Sequence, residues 1–371
     1  MKQQTSAAPE THNKVRGIDF SGKTIYVGID VHKKDWQIAL SYEGLTLENF
    51  RMSANGGQLI GHLTRHYPGA SFRCVYESCA WGFTLQRQLT AAGIDCKVVH
   101  AADVSGSDKE KRNKTDKVDA LRLARHHAAG LLEGIYVPDE KLQKERNMIR
   151  YRKRLVGDLN RSRNRLKSLL KYQGIEIPEK LDKSKWSKNF IKWIEEQAQK
   201  EPDLKDVLLL MLEEVQLLRQ LLLKTEKKLR LLMRESRYAE YLEVLISMPG
   251  IGSTTGMLFL MEIGDIRRFK TFDKLNNFVG FYPGSKSSGE KEQDTGISKR
   301  KHNQLRTALV ESAWQAIRID PALLEAYQQL CKRMKGNEAI IRIARKLLRR
   351  MRTVLLKKQK YEKGVVSSRL A

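Results

Sequence analysis

The chain has 371 residues, enough for two or three domains with buried cores. Lysine and arginine number 69 against 43 acidic residues, which gives a formal net charge of +26. Because the basic residues come in runs, the surplus favours a polyanionic partner such as nucleic acid over a generally basic surface. No apolar run approaches the roughly 20 residues that a membrane span requires, and the polar N-terminus carries no signal-peptide core. We therefore expect a cytoplasmic protein without a membrane partner.

A first domain is predicted over residues 24–136, after a flexible tail over residues 1–23. Three runs rich in β-branched and aromatic residues, each bounded by turn signals, predict strands. Helical and strand patterns then alternate, so we predict an α/β domain in which helices pack on a mixed sheet. The predicted strands are 24–30, 36–42, 46–52, 71–77 and 94–100, and the predicted helices are 56–67, 81–93 and 116–130.

Carboxylates stand at the ends of two predicted strands and at the start of one predicted helix. Asp30 ends TIYVGID, and Glu77 ends SFRCVYE. Asp116 and Asp119 are three residues apart, so a helix places both on one face. Taken alone, Asp116 is equally expected as a helix-start acid that suits the helix dipole. Together the four acids match the layout of an RNase H-like nuclease core, in which converging carboxylates hold Mg²⁺ at a phosphodiester.

A helical region is predicted over residues 137–237. Long helices are predicted at 141–174 and 203–235, and the second is too rich in leucine for a single narrow seam. The segment between them contains helix-breaking and aromatic residues and is predicted to cap a hairpin. We interpret the pair as a coiled-coil-like stalk used for dimerisation, and the first helix as basic enough to touch phosphates as well.

A mostly helical domain is predicted over residues 238–330, followed by a basic helix and tail over 331–371. Two short helices flank PGIG at 249–252, a pattern similar to a helix–hairpin–helix element. Such a turn exposes backbone N–H groups to a phosphate, although a plain helix–helix turn is the alternative. Further on, glycines, serines and basic residues predict a flexible segment. On spacing alone, Ser287 and Ser288 are ordinary turn residues.

The motifs GIDVHKK, VYES and KTDKVDA, followed by MPGIG, GDIRRF and VGFYPGSKSSG, resemble the DEDD transposases of bacterial insertion sequences, of the IS110 type. The resemblance extends from about residue 24 to 317. It includes a RuvC-like N-terminal half and a distinct C-terminal transposase half, in the right order. It implies that Asp30, Glu77, Asp116 and Asp119 are the family's four metal-binding acids and that Ser288 is the family's serine.

The resemblance implies a recombinase in which a serine hydroxyl attacks the phosphodiester. The resulting protein–DNA ester conserves the bond energy for rejoining. It also implies a structured non-coding guide (bridge) RNA that pairs with donor and target DNA. We predict a dimer or tetramer that works at the bacterial nucleoid. We predict nucleic-acid contacts from seven residues: Lys33, Lys114, Gly250, Gly252, Lys299, Arg300 and Arg306.

The sequence departs from the family after the serine segment. The usual Lys-Arg-Gly-Asn run is replaced by Lys299, Arg300, Lys301 and His302, which leaves the local turn open. Ser287 also stays open as the nucleophile beside Ser288. Three other functions compete: a site-specific DNA invertase of the same superfamily, a RuvC-like structure-specific nuclease that uses water, and a catalytically silent nucleic-acid-binding protein. The last is disfavoured because all four acids are present.

Overall fold

The computed structural model describes residues 19–104, 115–182, 186–288, 291–298 and 300–363, with only the backbone described over 283–288 and 291–296. The chain divides into two compact units, Met1–Val137 and Pro138–Ala371.

The first unit contains a five-stranded mixed sheet in the order β3-β2-β1-β4-β5. β2 runs antiparallel to both β1 and β3, while β4 runs parallel to β1 and β5 parallel to β4. The predicted mixed sheet is therefore confirmed. The strands are β1 Thr24–Val31, β2 Asp35–Tyr42, β3 Leu45–Ser53, β4 Ser71–Glu77 and β5 Asp95–Val99; the helices are α1 Gly56–His66, α2 Thr84–Ala91 and α3 Asp116–Ala128.

Helices cover both faces of this sheet. α1 and α2 bury Leu59, Leu63 and Leu89 against the strands in the main core of the unit. α3 lies on the other face, directly over Gly28 of β1, where a Cβ atom would be 2.0 Å from the carbonyl oxygen of Ala120. Only glycine permits that approach, so Gly28 sets how closely α3 packs on β1. Phe20, within the stretch predicted as a tail, also packs in the main core.

The second unit begins with three helices, α4 Glu140–Tyr172, α5 Lys188–Lys200 and α6 Lys205–Leu232. The two long predicted helices form close to their predicted bounds and pack on each other. α5 lies in the segment predicted only to cap the hairpin. Ser187 caps α5 by accepting a hydrogen bond from the Phe190 N–H (3.2 Å), and the stripe Phe190, Ile194 and Ala198 is buried against its neighbours.

In its described residues, the rest of the second unit is helical apart from one hairpin. The segment predicted to be flexible around the serines instead has the backbone of two antiparallel strands, in which Ser288 pairs with Lys291. This polar segment lacks the alternation of apolar and polar residues that would have predicted its two strands. The elements are α7 Ser236–Ile246, α8 Ser253–Ile263, α9 Phe272–Val279, β6 Pro283–Ser288, β7 Lys291–Ile297, α10 Asn303–Ile319, α11 Pro321–Cys331 and α12 Gly336–Lys357.

The basic C-terminal helix α12 is amphipathic and packs on α10, α11 and α7. Its buried face includes Ile343, Leu347 and Met351. Among the described helices, none has both the length and the apolar character needed to cross a membrane.

Candidate active site at the edge of the first sheet

The carboxyl ends of β1 and β4 bring two of the predicted acids to one edge of the sheet. The strands are parallel, and their register pairs Gly28 with Val75 and Ile29 with Tyr76. Asp30 and Glu77 come next along the two strands. Because side chains alternate along a strand, both lie on the face of Gly28, which α3 covers. Asp30 and Glu77 therefore face α3, the helix that carries Asp116 and Asp119.

The first turn of α3 approaches the same edge. Thr115 is its N-cap, and the Thr115 hydroxyl accepts a hydrogen bond from the Val118 N–H (3.4 Å). This start places Asp116 beside Asp30. His32 lies between them, with its Nε2 3.1 Å from Asp30 Oδ2 and 3.7 Å from Asp116 Oδ1. One ligand atom from each of the three side chains lies within 4.8 Å of the others.

A chain of hydrogen bonds fixes the first turn of α3 to the sheet. The Gln37 side-chain amide donates to Asn49 Oδ1 (2.7 Å), and Asn49 Nδ2 donates to the carbonyl oxygen of Lys117 (3.0 Å). Gln37 is buried and pairs with Asp30 across β1 and β2. Sequence reasoning missed both amides. The available signal was Gln37 itself, a glutamine in the otherwise apolar run WQIAL. A buried polar side chain usually has a hydrogen-bond partner, so this glutamine indicated one.

The electrostatics of the cluster favour a bound cation. Burial raises the pKa of Asp30, the hydrogen bond and charge of His32 oppose that shift, and the carboxylates of Asp116 and Asp119 raise the pKa further. Arg122 pairs with Asp119 and Arg51 lies within electrostatic reach of Asp116, but Asp30 and Asp116 still converge beside a single imidazole, and a divalent ion would neutralise their charge. Carboxylate oxygens suit Mg²⁺, whereas an imidazole is more usual for other divalent metals. The residues present therefore fit a divalent ion held by Asp30 and Asp116.

The remaining two acids do not join this group in the described structure. Asp119 forms an ion pair with Arg122, at 2.7 Å, and its side chain is 13% exposed. Glu77 ends the neighbouring strand but contributes no ligand atom within the 4.8 Å group. Two of the four predicted acids thus converge, together with His32, which sequence reasoning noted beyond the strand but did not include in the site.

The predicted residues of the second unit are only partly described. Ser287 and Ser288 are the last residues of β6, and their side chains lie outside the described part of the chain, as do Lys114 and Lys299 entirely. Arg306 uses its guanidinium within the protein, because Nη1 donates to the carbonyl oxygens of Gly280 (2.9 Å) and Ser298 (3.0 Å). It therefore anchors the chain on both sides of the hairpin. Lys33, in the first unit, is exposed.

Gly250 in PGIG has a packing reason for being glycine. Its φ is +76°, and a Cβ atom there would lie 2.2 Å from the Ser312 carbonyl oxygen of α10. Gly252 differs, since it is exposed and forms the N-cap of α8 without a side-chain cap. The turn between α7 and α8 thus packs on α10 at its first glycine and exposes its second.

A buried acid organises the second unit, and sequence reasoning missed it. The side chain of Glu262 on α8 is 2% exposed and accepts two hydrogen bonds from Arg150 of α4, each 2.7 Å. His302 Nε2 lies 3.2 Å from Glu262 Oε2, and its Nδ1 caps α10 by accepting from the Leu305 N–H. Burial opposes ionisation, but the bonds to His302 and Arg150 outweigh it and lower the pKa of Glu262 to about 2.

Two known sequence families match the chain. The pattern of the IS110-type DEDD transposases, described as "Transposase", matches residues 27–173. The pattern of the "Transposase IS116/IS110/IS902 family" matches residues 242–328. The two matches lie in the same order as the two halves of the resemblance, and the first contains all four acids.

Individual proteins are also similar to this chain. The chain is 28% identical over 295 residues to y4qE of Sinorhizobium fredii, which covers 78% of this chain and 71% of the relative. It is 26% identical over 304 residues to the transposase for insertion sequence element IS1533 of Leptospira borgpetersenii, covering 79% and 85%. It is 34% identical over 103 residues to a 43.6 kDa protein of insertion element IS110 of Streptomyces coelicolor, covering 28% and 25%.

A five-stranded mixed sheet with an acidic edge is consistent with the RNase H-like class of DEDD catalytic domains. Within that class, the matches in both halves show that the chain belongs to the IS110-type DEDD transposases of insertion sequences. It is therefore an enzyme of DNA transposition and recombination, and DNA is its substrate.

Proposed function

We propose that this transposase cuts and rejoins DNA at the ends of its insertion sequence, with Asp30 and Asp116 holding Mg²⁺ at the reacting phosphodiester. The observation that supports this most is the approach of Asp30, His32 and Asp116 at the carboxyl edge of the sheet. Glu77 lies at the end of β4 and Asp119 lies on α3, as expected for the second strand acid and the second helix acid among the family's four acids. We assign them to the same metal site, with Asp119 leaving Arg122 when DNA binds.

The bound ion would neutralise phosphate charge and polarise the phosphorus for attack. The protein's own part is to hold the carboxylates in place. Asp30 is fixed by β1, and Asp116 by the capped first turn of α3 and by the amide chain from Gln37 through Asn49. Such prior positioning means that little rearrangement is required when the phosphate arrives.

The nucleophile in this proposal is the hydroxyl of Ser288. Its oxygen forms a bond to phosphorus while the bond from phosphorus to the leaving sugar oxygen breaks. The serine proton passes to a base or to solvent, and the leaving oxygen takes up a proton. The serine–DNA ester keeps the energy of the broken bond, and a sugar hydroxyl of another DNA end reverses the step. Ser287 is the alternative nucleophile.

Nucleic acid would be bound mainly through the second unit. Residues 138–371 carry 51 basic against 29 acidic side chains, a net +22, whereas residues 1–137 carry 18 against 14, a net +4. We propose that Lys114, Gly252, Lys299 and Arg300 contact phosphates, with the α7–α8 turn acting like a helix–hairpin–helix element. Arg306 would act indirectly, by anchoring the hairpin. A guide non-coding RNA that pairs with donor and target DNA would supply sequence choice.

We further propose that the stalk formed by α4, α5 and α6 joins copies of the chain into a dimer or tetramer. α6 buries one apolar stripe within the unit and leaves a second exposed, where Leu210 and Leu217 are 65% and 54% exposed. These two leucines lie seven residues apart, the spacing of a helix–helix seam. The assembled protein would work at the bacterial nucleoid, where its DNA substrate is found.

The test is cleavage of a duplex that spans the junction between the element and its flanking DNA, in the presence of the matching non-coding RNA and Mg²⁺. Asp30→Asn keeps the shape of the side chain but weakens its hold on a cation, so we expect cleavage to fall about a thousandfold or more. The matched control is Asp35→Asn, because Asp35 starts the next strand and pairs with Arg51 at 2.9 Å. It should cleave within about threefold of wild type.

Equal cleavage by the Asp30→Asn and wild-type proteins would contradict the metal site. Cleavage that depends on Asp30 but releases only free ends would favour the nuclease that uses water over the recombinase. Omitting the RNA tests the guide separately, since recombination without it would contradict RNA-directed choice.

A further inference from the structure

A pocket of about 370 Å³ opens beside the acidic cluster, and nothing in the proposed reaction uses it. It lies entirely within the first unit, on the face of the sheet that α1 and α2 cover. Trp36, Tyr76 and Leu85 line it and belong to the core of the unit, so its walls are rigid. Its volume is in the range of pockets that bind small organic groups.

One wall of the pocket is an exposed indole. Trp81 follows β4 and its side chain is 48% exposed, which is unusual for the largest aromatic residue. The adjacent loop is fixed, because the Tyr76 hydroxyl donates to the carbonyl oxygen of Gly82 (3.1 Å) and Gly82 has a φ of +69°. An exposed aromatic surface on a fixed loop is suited to stacking on a flat ring.

The rim of the pocket is polar and basic. Lys33 supplies a positive charge, and Gln88 supplies a side-chain amide. Asn55 adds only its amide nitrogen, because its Oδ1 accepts from the Gln58 N–H as the N-cap of α1. Amides can pair with the hydrogen-bonding edge of a base, while a lysine can contact the phosphate that carries it. A purely apolar ligand would leave these groups desolvated without partners, so the lining favours a ring that also has donors and acceptors.

The pocket and the acidic cluster share one residue. His32 lines the pocket, and its Nε2 is within reach of the carboxylates of Asp30 and Asp116. The short turn after β1 therefore borders both the pocket, on the face covered by α1 and α2, and the acidic cluster, on the face covered by α3. A DNA strand whose phosphate lies at Asp30 and Asp116 would carry a neighbouring base to the mouth of the pocket.

We propose that this pocket receives one unstacked nucleobase of the DNA strand that is being cut, stacked on the indole of Trp81. The inference rests on the proposed function, because it takes the bound phosphate at Asp30 and Asp116 as its starting point. Enzymes that modify a base take it out of the stack, and proteins that bind single strands stack successive bases on aromatic side chains. Here the captured base would set the register of the strand at the acidic site.

The direct test is photocrosslinking. Junction duplexes carrying a single 5-iodouracil, moved one nucleotide at a time across the cleavage position, are bound to the Asp30→Asn protein with the non-coding RNA and irradiated. We expect one position next to the cleaved phosphate to crosslink to the peptide containing Trp81, and Trp81→Ala to abolish that crosslink. The control is Leu45→Ala, which removes another exposed apolar side chain of the first unit (64% exposed) and should leave the crosslink unchanged.

A second test measures coupling between the indole and the base. Trp81→Ala should slow cleavage of an intact junction about ten- to a hundredfold, and Trp81→Phe much less, because a smaller ring still stacks. When the nucleotide found by crosslinking is made abasic, wild type and Trp81→Ala should cleave at equal rates. A ratio that stays unchanged on abasic DNA would mean that Trp81 supports the fold rather than the base.

The outcomes separate this inference from the proposed function. Cleavage by wild type with no crosslink to Trp81 at any position would overturn the base pocket and leave the acidic site intact. A Trp81 crosslink next to the junction without cleavage by wild type would support the pocket and contradict the catalytic proposal. Crosslinks to Trp81 only from DNA bases far from the junction would also overturn the inference.

Discussion

Asp30 and Glu262 are both acidic side chains withdrawn from water, yet their surroundings shift their pKa values in opposite directions. Asp30 lies beside two further carboxylates, and burial and those charges raise its pKa. Glu262 lies between Arg150 and His302, which lower its pKa to about 2. The first acid has negative charge left over, which is the condition for binding a cation. The second has its charge matched by the protein, which is the condition for holding helices together.

The two units also differ in net charge. The first carries the acidic edge and is close to neutral, at +4, while the second is strongly basic, at +22. A site that collects carboxylates for a metal and a surface that collects cations for phosphates would neutralise each other if they were mixed. Because the carboxylates and the phosphate-binding cations belong to separate units, each set retains its charge.

The largest expected effect is on nucleic-acid affinity. If the basic unit makes on the order of 6–10 phosphate contacts, affinity for DNA should fall roughly 10³–10⁵-fold between 50 and 200 mM salt. Arg154→Ala, at an exposed position of α4, should reduce the slope of log affinity against log salt by about one. Fluorescence anisotropy with a labelled duplex measures both. A flat salt response would contradict the assignment of the second unit to phosphate binding.

Next is the stability of the second unit. Glu262→Ala removes the acid that pairs with Arg150 and lies 3.5 Å from Arg146, whose side chain is only 12% exposed, so we expect the free energy of unfolding to fall by about 3 kcal/mol. Glu240→Ala is the control, because Glu240 pairs with Lys358 at the surface and should cost at most about 1 kcal/mol. Urea unfolding gives both values. Equal, small losses would mean that the buried acid does not hold α4 and α8 together.

Acid should reproduce that loss reversibly. The pKa of Glu262 is lowered from its ordinary value of 4.5 to about 2, so its contribution is complete above pH 4.5 and disappears as the pH falls towards 2. The difference corresponds to roughly 3 kcal/mol. Unfolding measured from pH 7 to pH 3 should be less pH-dependent in Glu262→Gln than in wild type. Parallel curves for the two proteins would contradict the lowered pKa.

The smallest effect concerns the position of Asp116. Asn49→Ala removes the hydrogen bond to the Lys117 carbonyl and should loosen the first turn of α3, lowering the rate of cleavage about tenfold with little change in DNA affinity. Thr46→Ala, at an exposed position on the same strand, should have no effect on either. A loss of affinity equal to the loss of rate would indicate a general folding defect instead of a misplaced acid.

Strong local patterns made much of the first unit predictable. Dense β-branched runs marked all five strands, and a carboxylate at a strand end marked Asp30. The hydrogen-bonded partners of those acids were not predictable in the same way. His32, Gln37 and Asn49 act through contacts made only when β1, β2, β3 and α3 assemble. The apolar run around Gln37 marks it as a buried polar residue, but a single sequence does not show which residue it contacts.

In the second unit, the long helices followed from their leucine and arginine periodicity, but α5 and the serine hairpin did not. α5 is recognisable afterwards from its Ser187 cap and its stripe of Phe190, Ile194 and Ala198, which the neighbouring charged residues obscured. The hairpin lacks any apolar alternation, so its strands follow from pairing rather than from local preference. Glu262 lies in the apolar run MLFLMEIG. An acid inside such a run indicates a buried carboxylate that has a partner, and this was the available signal.

We propose that this transposase joins itself to DNA through Ser288 and requires the acidic edge to do so. The most direct measurement is a denaturing gel of protein mixed with junction DNA, non-coding RNA and Mg²⁺, using wild type, Ser288→Ala, Ser287→Ala and Asp30→Asn. We expect a DNA-linked protein band in wild type and Ser287→Ala that is absent from Ser288→Ala and Asp30→Asn. A linked band that survives in Ser288→Ala, or cleaved ends without any linked band in wild type, would contradict it.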